Sequence, residues 1–195
     1  STTLKTTLKR NSSMSKHVTP VVRASFVHLV EPKAPAAEAK PVYSMALMIP
    51  KDDEDGKKFL AALKKDAQAI CKEKFGTIPK KLKGAIKDGD EEDRPEWEGY
   101  WIVNAKSKSQ PGIVDRSLQE VVDPDKLYSG AHYRVSCTPY AWSHATGGKG
   151  WSLNLDNVQW HSDGDRFDGR SKATDDFADF AEEAPAEDDF DFDAA

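Results

Sequence analysis

Between Tyr133 and Trp142 the sequence YRVSCTPYAW alternates two kinds of side chain. Successive residues of a strand point to opposite faces. One face then holds Tyr133, Val135, Cys137, Pro139 and Ala141, an apolar set suited to a core. The other holds Arg134, Ser136, Thr138, Tyr140 and Trp142, which combines a cation, hydroxyls and large aromatics. The segment Gly99–Ser107 (GYWIVNAKS) offers a related mixture. Trp101, Val103 and Ala105 fall on a buried face, while Tyr100, Asn104 and Lys106 share the other with Ile102, and Lys108 extends that line. Aromatics beside cations suit a flexible polyanion that carries exposed rings. Stacking an unpaired base on an aromatic side chain contributes about 1–3 kcal/mol whatever the base. Lysines and arginines along the path neutralise phosphates and release counterions. Tyr100, Tyr140 and Trp142 with Lys106, Lys108, Arg134 and, from the following turn, Lys149 are the candidate contacts to single-stranded DNA. The same aromatics have an alternative use, which is to cover a second small core or the helix. Tyr43 and Trp151 lie on apolar faces and read as core.

The C-terminal end carries a different chemistry. From Ala173 to Ala195 there are ten acids and no base, interleaved with Phe177, Phe180, Phe190 and Phe192. Acid alone makes a solubility tail. Acid with spaced phenylalanines makes a docking segment, in which Phe fills a pocket and carboxylates such as Asp188 and Asp189 meet a basic rim. It also imitates DNA in kind, with negative charge and flat rings, so the expectation is that it competes with DNA for the same groove or recruits a partner protein.

Catalytic and metal readings find no support. The five histidines are scattered and form no HxH or HExxH. Asp163, Asp165 and Asp168 do not follow the spacing of an EF-hand. Asp88–Asp93 is an acid run read as an exposed loop. Gly147–Gly150 lacks the strand–loop–helix context of a phosphate loop and reads as a hairpin turn. The expectation is a binding protein that is not an enzyme and needs no cofactor.

These residues require a scaffold of strands. Val21–Val30, Pro41–Pro50, Gly99–Ser107, Tyr133–Trp142 and Trp151–Trp160 read as strands, the last two joined by a turn at His144–Gly150. Ile113–Arg116 is a further short candidate. Asp52–Phe75 is the clearest helix, with Phe59, Leu60, Leu63, Ala67, Ile70 and Cys71 on one side and lysines largely elsewhere. Gly76 is its natural stop. Glu31–Lys40 reads as a long Pro/Ala-rich loop joining two strands, and Lys80–Glu98 as an exposed loop. Strands without a βαβ rhythm argue against a parallel sheet and for a small Greek-key barrel with a helix packed at one end.

The whole-chain numbers agree with one domain and tails. The 195 residues carry a net charge of −5, but the acidic end hides a mildly basic body: residues 1–172 stand at +5. No apolar run reaches the roughly 18–20 residues of a membrane helix. Cys71 and Cys137 form no CxxC and read as buried thiols. Ser1–Ser13 repeats TTLK and precedes Met14, so it reads as an added extension, with a domain over 14–170 and a disordered acidic tail over 171–195.

Several segments together carry a resemblance. They are PVYSMALMIPK from Pro41, AKSKSQPGIVD from Ala105, YSGA from Tyr128, LDNVQWHSDGDRFDGRSKATDDF from Leu155, and the acidic end. In order and spacing they resemble a family of phage single-stranded DNA-binding proteins first known only as a domain of unknown function, and lie close to its enterobacterial-phage member. The likeness runs from about Met14 to Phe180. It implies an OB fold, sequence-tolerant binding of single-stranded DNA, and a role in phage replication, recombination or repair in the cytoplasm of the infected host. It also implies recruitment of phage or host replication proteins through the tail. The tail departs from the terminal-aromatic pattern of similar proteins, ending Phe192-Asp193-Ala194-Ala195. Two other expectations stay open: a mediator that anneals strands, and a protein-interaction module that acts through its tail.

Overall fold

The computed structural model describes residues 15–167 and 176–182. Its elements are β1 (His17–Val18), β2 (Val22–Lys33), β3 (Val42–Pro50), α1 (Glu54–Phe75), β4 (Leu82–Lys83), β5 (Ile86–Asp88), β6 (Tyr100–Ser107), β7 (Gly112–Val114), β8 (His132–His144) and β9 (Gly148–Ser162). The expected strands and helix are all present. Of the Ser1–Ser13 extension and the acidic tail, only residues 176–182 lie among the described residues.

Five strands close on themselves. β2 pairs β3, β3 pairs β6, β6 meets β9 in parallel, β9 pairs β8, and β8 returns to β2. This is the Greek-key barrel of the OB fold. The β8–β9 ribbon is its longest pairing, running from His132↔Ser162 to His144↔Gly148. β1 extends the sheet beside β8, and β7 lies parallel to β9.

The alternation of β8 is realised as read. Tyr133, Val135, Cys137 and Pro139 are buried, while Arg134 is exposed and Ser136, Thr138, Tyr140 and Trp142 are half-buried on the other face. The inward side chains meet Leu153, Leu155 and Val158 of β9 and Phe59, Leu60, Leu63, Ala67 and Cys71 of α1. The helix starts where Asp53 accepts from the Gly56 backbone N–H at 2.8 Å, a cap that contributes about 1 kcal/mol. It stops at Gly76, whose φ of +77 suits glycine and whose N–H bonds Lys72 O. His17 of β1 reaches Asp66 of the helix at 2.6 Å. Burial raises the Cys71 thiol pKa and pushes Cys137 up to about 12, so both are inert apolar fillers.

Lys80–Glu98 corrects the sequence reading. It is not an exposed loop: β4 and β5 pair onto the barrel, and the turn Pro95–Trp97 buries its tryptophan. Trp97 donates from Nε1 to Ser25 Oγ at 2.9 Å and packs on Ala46, Met48 and Ile102. This second, smaller cluster lies on the outward face of β3 and β6. Lys51 fixes the same segment through Asp88 and Asp90 at 2.5 and 2.6 Å.

Candidate nucleic-acid interface

Strand register sets a continuous polar row across the barrel. His28 of β2 stands opposite Ser44 of β3, Ser44 opposite Lys106 of β6, Lys106 opposite Asn154 of β9, and Asn154 opposite Thr138 of β8. At about 4.8 Å per strand the row is roughly 19 Å long. Two recesses lie along it. The one towards β2 is about 400 Å³ and takes its walls from Phe26, His28, Ser44, Asn104, Lys106 and Ser152 among others. The other, about 760 Å³, is lined by Lys16, Lys106, Lys108, Tyr140, Asn154 and Asp156 among others.

The aromatic end of this groove sits at the tip of the β8–β9 ribbon. Gly150 pairs with Trp142, and a Cβ placed there would fall 2.5 Å from the indole. Glycine therefore lets the ring lie down on the neighbouring strand. Trp142 Nε1 donates to Ser152 Oγ at 2.9 Å, and the ring stacks with His144 at 5.0 Å and 30°. Tyr140 stands one step nearer the centre, opposite Ser152. Asp156 accepts from Thr138 Oγ1 at 2.6 Å and Asn154 Nδ2 at 2.7 Å. It fixes two groove residues, but at the cost of one negative charge among the lysines.

The structure gathers some of the expected residues and separates others. Lys106, Lys108 and Tyr140 line one recess, and Trp142 adjoins the other through Ser152. Tyr100 is elsewhere: it packs half-buried on the Trp97 cluster, so for this residue the cover of a second small core is what the fold provides. Arg134 shares the Tyr140 face but lies six residues away, about 20 Å along the strand. There it bonds Gln159 at 3.2 Å, and burial, followed by the charges of Arg116, Arg134 and His132, holds the His161 imidazole below its usual range. Lys149 has the parity of Trp151 and therefore faces the helix side, with its ammonium 5.0 Å from the centre of the Phe75 ring. Of the tail residues, Phe177 and Phe180 are exposed beside a short turn at Ala178–Phe180. Asp188, Asp189, Phe190 and Phe192 lie outside the described residues.

Sequence reasoning missed Phe26, His28, Ser44, Asn154 and Ser152. The last three are small polar residues whose place in the groove depends on pairing register, which no local pattern displays. Among the described residues, no group of three or more His, Cys, Asp or Glu could hold a metal ion. None of their helices is long and apolar enough to cross a membrane.

In the OB architecture the face of the second and third barrel strands and two of the loops beside it bind oligonucleotides. Here those strands are β3 and β6, which hold Ser44, Asn104 and Lys106. The loops are the β2–β3 connection and the β8–β9 tip. The chain is similar to several known proteins. A family model described as the ssDNA-binding protein of Enterobacter phage Enc34 matches residues 15–191. The p50 protein of Acyrthosiphon pisum secondary endosymbiont phage 1 is 28% identical over 164 residues, covering 78% of this chain and 86% of that one. The single-stranded DNA-binding protein of bacteriophage Enc34, solved in complex with ssDNA, superposes with a TM-score of 0.69 at 25% identity, over 77% of this chain and 88% of that one. The single-stranded DNA-binding protein gp2.5 of bacteriophage T7 shares the fold, with a TM-score of 0.59 at 16% identity over 87% and 96% of the two chains.

Proposed function

The chain belongs to the family of the Enterobacter phage Enc34 ssDNA-binding protein, and we propose that it binds single-stranded DNA along the β3–β6 face and the β8–β9 tip. The observation that carries this reading is the polar row from His28 to Thr138, with Lys106 at its centre and Trp142 and Tyr140 at one end. Bases stack on Tyr140 and Trp142. Lys16, Lys106 and Lys108 take phosphates, so affinity falls with salt. Duplex is excluded because paired bases cannot present their flat faces to a ring. The chemistry is non-covalent throughout and serves to coat and protect strands exposed during phage replication, recombination or repair in the host cell.

Tryptophan fluorescence tests it. Oligo-dT should quench the emission and matched duplex should not, with weaker quenching in high salt. Salt-insensitive signals, or none, would overturn the groove.

The acidic segment acts on the same groove. Its charge opposes that of the lysines, and Phe177 and Phe180 are exposed where the segment is described. It competes with DNA when no partner protein holds it. Removing Ala173–Ala195 should therefore tighten oligo-dT binding at low salt, and unchanged affinity would leave the segment only the recruiting role.

A further inference from the structure

The bulge in β2 turns a ring outward. Between Ser25 and His28 the β2–β3 register shifts, and Phe26 takes a φ of +49. A bulky residue in the left-handed region costs about 1–3 kcal/mol. Burial offsets that cost only in part, since 39% of Phe26 remains exposed. The ring is nonetheless held firmly. The Arg94 guanidinium lies 4.4 Å from its centre, and Trp97 meets it edge-to-face at 5.9 Å. Trp97 is itself buried and bonded to Ser25. A strained aromatic, fixed in place and still open to solvent, is suited to a flat ligand.

The space beside it is the recess of about 400 Å³. Its polar groups divide by charge. Ser44, Ser152 and His28 are half-buried and offer donors and acceptors, whereas the cations Lys33 and Lys106 are exposed at the rim beside Asn104. Burial, then Lys33, holds the His28 imidazole below its usual range, so it is neutral at pH 7. Neutral hydrogen-bonding groups inside and cations outside match the division within a nucleotide, whose base is neutral and whose phosphate is anionic.

We propose that this recess receives one base of the bound strand, turned out against Phe26, with the adjoining phosphates at Lys33 and Lys106. This assignment rests on the single-stranded DNA reading above. It adds a site at which the edge of one base meets protein groups, beyond sequence-tolerant stacking on Tyr140 and Trp142.

The test uses the full chain and oligo-dT carrying a single 5-iododeoxyuridine, which couples under ultraviolet light to an aromatic ring stacked on it. Mass spectrometry should find an adduct on the peptide Ala24–Lys33, at Phe26. Adducts confined to Tyr140 and Trp142 would overturn the pocket and leave the groove standing, whereas no binding of oligo-dT at all would overturn both. Phe26→Gly gives an independent arm, because glycine adopts this backbone conformation without strain. The folded variant, checked by circular dichroism, should bind oligo-dT about tenfold more weakly. Wild-type affinity in that variant would sink the proposal.

Discussion

The outward face of β3 and β6 is one surface with two fates. At one end Met48 and Ile102 stand opposite each other and are sealed beneath Trp97. At the other, Ser44 and Lys106 stand opposite each other and remain open. Ala46 and Asn104 form the boundary between them, and Phe26 rises there against the edge of Trp97. The backbone is the same in both halves. What separates core from groove is whether another segment lands on the strands, and here the Pro95–Trp97 turn lands on one half only. An aromatic therefore has no fixed meaning on this face: Trp97 closes it, whereas Trp142 lies along an open edge.

Four variants break or sharpen that contrast. The largest effect is expected from Trp97→Ala, which should cost about 3–5 kcal/mol of stability in urea unfolding by emptying the second cluster; a loss under about 1 kcal/mol would mean that the turn does not seal the face. Trp142→Ala should do the reverse, weakening oligo-dT binding by about 1–3 kcal/mol while its unfolding midpoint stays near that of the parent. Equal effects of the two changes on stability would erase the distinction. Replacing Lys106 and Lys108 together by Ala should flatten the dependence of log affinity on log salt by about 1.4 units, at about 0.7 per phosphate contact on a single strand. An unchanged slope would remove both from the path. The smallest effect belongs to Asp156→Asn, which keeps the hydrogen-bonding shape and deletes a like charge from the groove. Binding should tighten roughly twofold to fivefold at low salt and converge with the parent at high salt. Weaker binding would show that the carboxylate's hold on Thr138 and Asn154 outweighs its charge.

The sequence displayed those features that repeat at short range. The strict alternation of Tyr133–Trp142 revealed both faces of β8, and the spacing of Phe59, Leu63, Ala67 and Cys71 revealed the packed side of α1. Lys149, named among the groove contacts, stands two residues before the buried Trp151 and shares its side instead, as its parity implies. Other positions left no local trace. β4 and β5 are two and three residues long, too short to show a period, and Trp97 is set among acids that suggest water. Phe26 misleads for a different reason. Val22 and Ala24 predict a buried residue at 26, but the bulge reverses the parity and buries Leu29 instead. The row from His28 to Thr138 joins five strands that are distant in sequence, so it exists only once the register is set.

One join in the barrel has a consequence for motion. The β8–β9 ribbon is paired along its whole length, whereas β6 and β9 touch through a single ladder pair, Lys106↔Asn154. Backbone amides beside a seam held so lightly open more readily than those of the long ribbon and exchange their hydrogens sooner. That pair is also the centre of the polar row. A strand of DNA lying across it spans the weakest join of the wall like a splint. Amide protection gained on binding should then be greatest at β6 and β9, and the barrel should be hardest to pull apart while it is loaded.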